Sequence, residues 1–182
     1  MTSPNVKRMI DHMWWLDEGY EPPGVYALLD AARDESIYPR IMDSGLESTC
    51  LFQGGKAREL AWVAPYLVGL RRDDPFTEWV VETGWEKCWG VFAGSHATLN
   101  ELKRHFRTFL TVYDEEGNSL YFRYYDPRVL RSYLPTCNGD ELGAVFGPVE
   151  YYLLEADDPG SVSRFRNESG VLQRENIRIA TG

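Results

Sequence analysis

Apolar positions along this chain fall into two alternating rhythms. Continuous runs of strand length recur at 25–29, 48–52, 64–68, 87–92 and 148–154, as expected of strands covered on both faces. Stretches with helical spacing lie between them. Val6, Met9, Ile10, Met13, Trp14 and Leu16 predict an N-terminal amphipathic helix over 5–17, stopped at Gly19. Short helices are expected over 36–43, 56–63 and 139–146. Asp74-Pro75 supplies a cap and a first-turn proline for a helix through Phe76, Trp79 and Val80. The best-marked helix covers 98–109, where Thr98 and Glu101 have capping-box spacing.

The stretch LYFRYYDPRVLRSYLP, 120–135, joins the two rhythms. Its first six residues are nearly continuous aromatics and predict a strand buried on most of its surface. Asp126-Pro127 ends that strand and opens a helix, Asp126 as N-cap and Pro127 at the first position. Val129, Leu130 and Tyr133 or Leu134 would face inward, leaving Arg128 and Arg131 wet or against acids. The polar turn containing Gly117 makes 112–125 a hairpin. The alternation as a whole predicts an α/β fold, a single domain with a mixed β-sheet flanked by helices. Residues 1–23 read as an N-terminal helix and linker, 24–156 as the domain, and 157–182 as a polar C-terminal extension. In that extension, short strands near 162–166 and 171–174 compete with a loose tail.

Composition narrows the class of protein. With 182 residues and 43% hydrophobic content the chain can bury a sizeable core. A net charge of −9 argues against nucleic acid and anionic membranes as partners. No run approaches a membrane span, and the N-terminus lacks the apolar segment of a secretory signal. Cys50, Cys88 and Cys137 are odd in number and set among apolar residues, so reduced core thiols in a cytoplasmic protein are expected.

Catalytic patterns are weak. Phe52-Gln53-Gly54-Gly55-Lys56 lies between strand and helix, but Ala57 stands where a phosphate loop needs a hydroxyl. Ser95-His96 has no nucleophile elbow around it. His12, His96 and His105 have no metal-ligand spacing, so neither a metal nor a cofactor is expected. The tryptophans, Trp14, Trp15, Trp62, Trp79, Trp85 and Trp89, exceed what such a core needs; either most are simply core or half-buried, or some form an exposed aromatic surface for a protein partner. Arg128 and Arg131, three residues apart on one helix face, with Tyr124 or Tyr125 beside them, have an interface composition; the competing reading is that the arginines balance surface acids and the aromatic junction is all core. Trp85 and Trp89 are the second candidate surface.

Several segments in this order carry a resemblance: VYALLDAA, LFQGG, VAPYLVGL, DPFTEWVVETGWEKCWGVFAGS, LNELKRHFRTFLTV, FRYYDPRVLRSYLPT and ELGAVFGPVEYY, covering about 24–152. Together they resemble the bacterial type VI secretion effector adaptors, or chaperones. That resemblance implies a non-enzymatic cytosolic protein that binds a toxin effector and helps load it onto the valine–glycine repeat spike protein, VgrG. The alternative reading is a small-molecule hydrolase or transferase with a cleft between sheet and helices.

Overall fold

Alternate side chains of the first apolar run go to two different cores. In a computed structural model, which describes residues 3–14, 21–113 and 116–180, this run is β1 (Gly24–Asp30). Val25, Ala27 and Leu29 join one buried cluster and Leu28 the other. A strand covered twice has no polar face to show, which explains its continuous apolar reading. β1 lies within a seven-stranded sheet of order β2-β3-β1-β4-β7-β8-β9. Here β2 is Ser48–Cys50, β3 Pro65–Gly69, β4 Gly90–Ser95, β7 Tyr151–Glu155, β8 Ser161–Glu168 and β9 Val171–Arg178.

Helices cover both faces of this single α/β domain. α1 (Pro4–Met13), α2 (Ile37–Asp43) and α4 (Pro75–Gly84) pack on the face holding Val25 and Leu29. α5 (Leu99–Arg107), α6 (Pro127–Tyr133) and α7 (Gly139–Phe146) pack on the face holding Leu28. The caps explain several boundaries. The Thr98 hydroxyl accepts from the Glu101 N–H while the Glu101 carboxylate accepts from the Thr98 N–H, closing the expected box. Asp74 and Asp126 each accept from the backbone N–H two residues on, with proline following.

The sheet departs from expectation in its pairing. Every strand pair is antiparallel, not mixed. α4 does connect strands of like direction, β3 and β4, but β1 runs between them in the opposite sense. Alternating strand and helix patterns record that crossover and not the strand inserted within it.

Two further expectations are corrected. The strand read over 120–125 is only β6 (Ser119–Tyr121), paired with β5 (Thr111–Tyr113) in a separate ribbon, and β6 is exposed along its length. The 157–182 extension is no appendage, because β8 and β9 complete the main sheet and β8 is mostly buried. α1 likewise belongs to the core through Val6, Met9, Ile10 and Met13. Trp15 and the stop at Gly19 lie outside the described residues.

Candidate functional site

Charged groups that the core would otherwise exclude gather at one end of the sheet, where β1 finishes and α6 begins. Asp30 and Asp126 are both almost fully buried. Burial of a carboxylate is costly unless it is paired and hydrogen-bonded, and here arginines supply the partners. Arg33 donates to Asp126 and lies 3.5 Å from Asp30. Arg123 donates to Asp30 from the rim. Arg128 holds Asp126 with two nitrogens, at 3.0 and 2.7 Å. The cluster ties the end of β1 to the start of α6, across 93 positions of sequence.

Burial pushes the Asp126 carboxyl up, but the Arg128 side-chain and backbone bonds, with Arg33 nearby, outweigh it and hold the group below the usual carboxylate range. Asp126 is thus the cap that the sequence indicated and also half of a buried ion-pair network. Next to it stands a backbone turn at 85–89. Glu86 and Cys88 both have left-handed φ, 61° and 55°, which costs non-glycine residues on the order of 1–3 kcal/mol each. Two bonds fix the turn: the Cys88 N–H donates to Glu155 at 2.9 Å, and Glu86 accepts from the Gly160 N–H at 2.6 Å.

Glu155 has the opposite balance from Asp126. Burial raises its pKa, and the Cys88 bonds and Arg131 only partly compensate. Its folded-state pKa therefore lies above its unfolded one, so the charged group costs stability as pH rises from the ordinary carboxylate range through that raised value. Glu155→Gln keeps an acceptor for the Cys88 N–H and removes the charge. Its melting temperature relative to wild type should rise with pH across that window and show no advantage in acid. Calorimetry at several pH values checks this; an advantage largest in acid would contradict it.

The sequence-named residues divide once their surroundings are visible. Tyr124 and Tyr125 are core, not interface. The Tyr124 hydroxyl donates to the Phe106 carbonyl at 2.8 Å and its ring stacks on Phe106, while Tyr125 lies beneath Arg123. Trp89 is also buried, 5.1 Å from Trp79 by ring centroids. Trp85 is half-buried and lines a small cavity with Trp89 and Glu155. Arg128 keeps its side chain about half exposed while gripping Asp126. Arg131 is mostly covered, donating to the Glu155 carbonyl and pairing with Asp157 at 2.8 Å. All but Tyr124 therefore surround the same end of the sheet, yet only Arg128 offers substantial surface.

The more open apolar surface lies elsewhere. Trp62 is 63% exposed, in a 3-10 turn (Ala61–Val63) that follows α3 (Gly54–Glu59). Leu60 and Val63 flank it in the open, and Tyr121 of β6 is exposed as well. Trp62 is one of six tryptophans in the chain, and no local signal in the sequence sets it apart. The glycine pair that opens α3 is no phosphate cradle: the Lys56 ammonium donates to the Tyr121 hydroxyl and lies 4.7 Å over its ring.

Chemically these groups are committed. Asp30 and Asp126 are occupied by arginines, and the Cys88 thiol is pushed up by burial and by Glu155, away from thiolate reactivity. Ser95 donates to the Pro148 carbonyl and His105 meets the Val145 carbonyl at 3.0 Å. Among the described residues, no three His, Cys, Asp or Glu side chains are placed to hold a metal, and no helix is long and apolar enough to cross a membrane.

Fold and site together define a three-layer α/β/α domain whose sheet end is locked by an arginine–carboxylate cluster. A family model, the domain of unknown function DUF4123, matches residues 25–144, about two thirds of the chain, and the chain belongs to that family. The family is associated with type VI secretion effector adaptors. No curated protein and no solved structure matches the chain.

Proposed function

We propose that this protein is a cytosolic adaptor that binds one type VI secretion effector and promotes its loading onto the VgrG spike, without turnover of its own. One observation carries the reading beyond family membership. Of the eight large apolar side chains exposed among the described residues, all but Val171 fall inside the matched segment 25–144. The part of the chain that identifies the family is thus also the part that offers apolar surface to another protein. The commitment of the buried carboxylates to arginines supports binding over catalysis. The acid excess disfavours nucleic acid as the partner.

The test is co-expression with candidate toxins encoded near its gene, followed by size-exclusion chromatography with and without VgrG. Co-elution with the toxin, and a ternary complex with VgrG, are the expected results. A robust esterase or nucleotidase rate from the purified protein, abolished by Glu155→Gln, would replace this reading with the hydrolase alternative.

A further inference from the structure

The stretch from Gly54 to Val63 buries none of its side chains. Ala57 and Ala61, one turn apart, are its most covered positions, so the segment rests on small residues and turns its large ones outward. Lys56 and Leu60 are also one turn apart and share a face. Lys56 joins this face to the β5–β6 ribbon through Tyr121, whose ring lies 5.8 Å from that of Phe52. Leu60 is itself exposed and leads into the 3-10 turn that carries Trp62. Leu120, adjacent to Tyr121 on the strand, belongs to the ribbon's other face.

The helical part of this surface is basic in an acidic protein, whereas the ribbon contributes acids, Glu116 among them. The stretch 54–63 and α5 carry Lys56, Arg58, Lys103, Arg104 and Arg107 against only Glu59 and Glu101, although the whole chain has net charge −9. None of those five cations forms an ion pair among the described residues. Arg107 brings α5 to this place by donating to the carbonyls of Cys50, Leu51 and Phe52, at 2.9, 3.1 and 3.2 Å. Those carbonyls lie at and just beyond the end of β2, an edge of the sheet. A strand adding there would compete with a guanidinium, whereas a helix satisfies its own backbone and needs only side-chain contact.

We infer that this surface seats an acidic amphipathic helix of the effector. The helix lays apolar side chains against Trp62, Leu60 and Tyr121 and directs carboxylates toward Lys56, Arg58 and the α5 cations. This rests on the adaptor reading and adds where and by what chemistry the partner docks. Tryptophan at the centre with cations around it is the arrangement in which truncation costs most.

Binding of a candidate toxin encoded near its gene to the full chain, measured by titration calorimetry, separates the possibilities. Trp62→Ala and the pair Lys56→Glu with Arg58→Glu should each weaken binding by about tenfold or more, with unchanged circular dichroism melts. Wild-type affinity should fall with added salt, and fall less steeply in the charge-reversed protein. If the wild-type protein does not bind the toxin, the adaptor reading fails and the inference with it. If the wild type binds and both folded variants bind within about twofold of it, the docking surface is overturned while the adaptor reading stands. A dimer of the protein alone that Trp62→Ala dissolves would assign the surface to a second copy and overturn the helix assignment.

Discussion

Asp126→Ala is expected to lower the melting temperature by about 6–12 °C. The change removes an N-cap, worth ~1 kcal/mol, and also strips Arg33 and Arg128 of their common carboxylate. Breaking a buried pair by removing one partner costs about 3–5 kcal/mol. Arg128 is half exposed and recovers water, so the lower end applies, about 3 kcal/mol with the cap included. For a chain of this length ~1 kcal/mol corresponds to roughly 2–4 °C. Asp126→Asn should lose distinctly less, because asparagine still caps. The Asp126 pKa is depressed in the folded state, so its stabilisation is present above the ordinary carboxylate range and is lost as pH falls through the folded value. The deficit of Asp126→Asn should therefore shrink in acid. Small and equal losses for both variants at neutral pH would show that the cluster contributes nothing to stability.

Gly90→Ala should be worse. A Cβ at this position would lie 2.0 Å from the Leu28 carbonyl oxygen and 2.9 Å from its carbon. These are main-chain atoms of β1, which pairs with β4 here, so no side chain can swing aside. Accommodation means prying apart two central strands next to the Asp30 N–H bond to the Trp89 carbonyl, 2.8 Å long. A loss above about 4 kcal/mol is expected, seen as little folded protein in a urea titration. Gly143→Ala is the matched control. It sits on the exposed side of α7 with nothing within 4 Å of its added methyl, and alanine there should gain about 0.5–1 kcal/mol. Wild-type behaviour of Gly90→Ala would contradict the β1–β4 register.

The sequence made legible whatever depends on near neighbours. The Asp126, Asp74 and Thr98 caps act over two or three residues, and each appears where its spacing placed it. The buried strands showed because double burial leaves no polar alternation at Val25 to Leu29. What depends on distant contacts was not visible. Asp30 and Arg123 meet across 93 positions, and nothing local to either marks the other. Tyr124 and Tyr125 have an interface composition, but the carbonyl that satisfies the Tyr124 hydroxyl belongs to α5, far off in sequence. The strands β8 and β9 looked like a tail because β9 is an exposed edge and β8 carries Arg164, whose burial depends on Glu175 and on the His12 carbonyl. Trp62 stayed unselected for the same reason: exposure is set by what fails to pack on a residue.

The contacts of α1 set a schedule for synthesis. Arg164 reaches the His12 carbonyl at a separation of 152 residues, and the Tyr151 hydroxyl donates to the Met13 carbonyl at 138. The apolar stripe of α1, Val6, Met9, Ile10 and Met13, thus has no complete seat until β7 and β8 have been translated. At roughly 5–20 residues per second, that wait is about 8–30 s. For that interval the growing chain carries a sticky helix ahead of its own dock, apolar surface of the kind that nascent-chain chaperones cover.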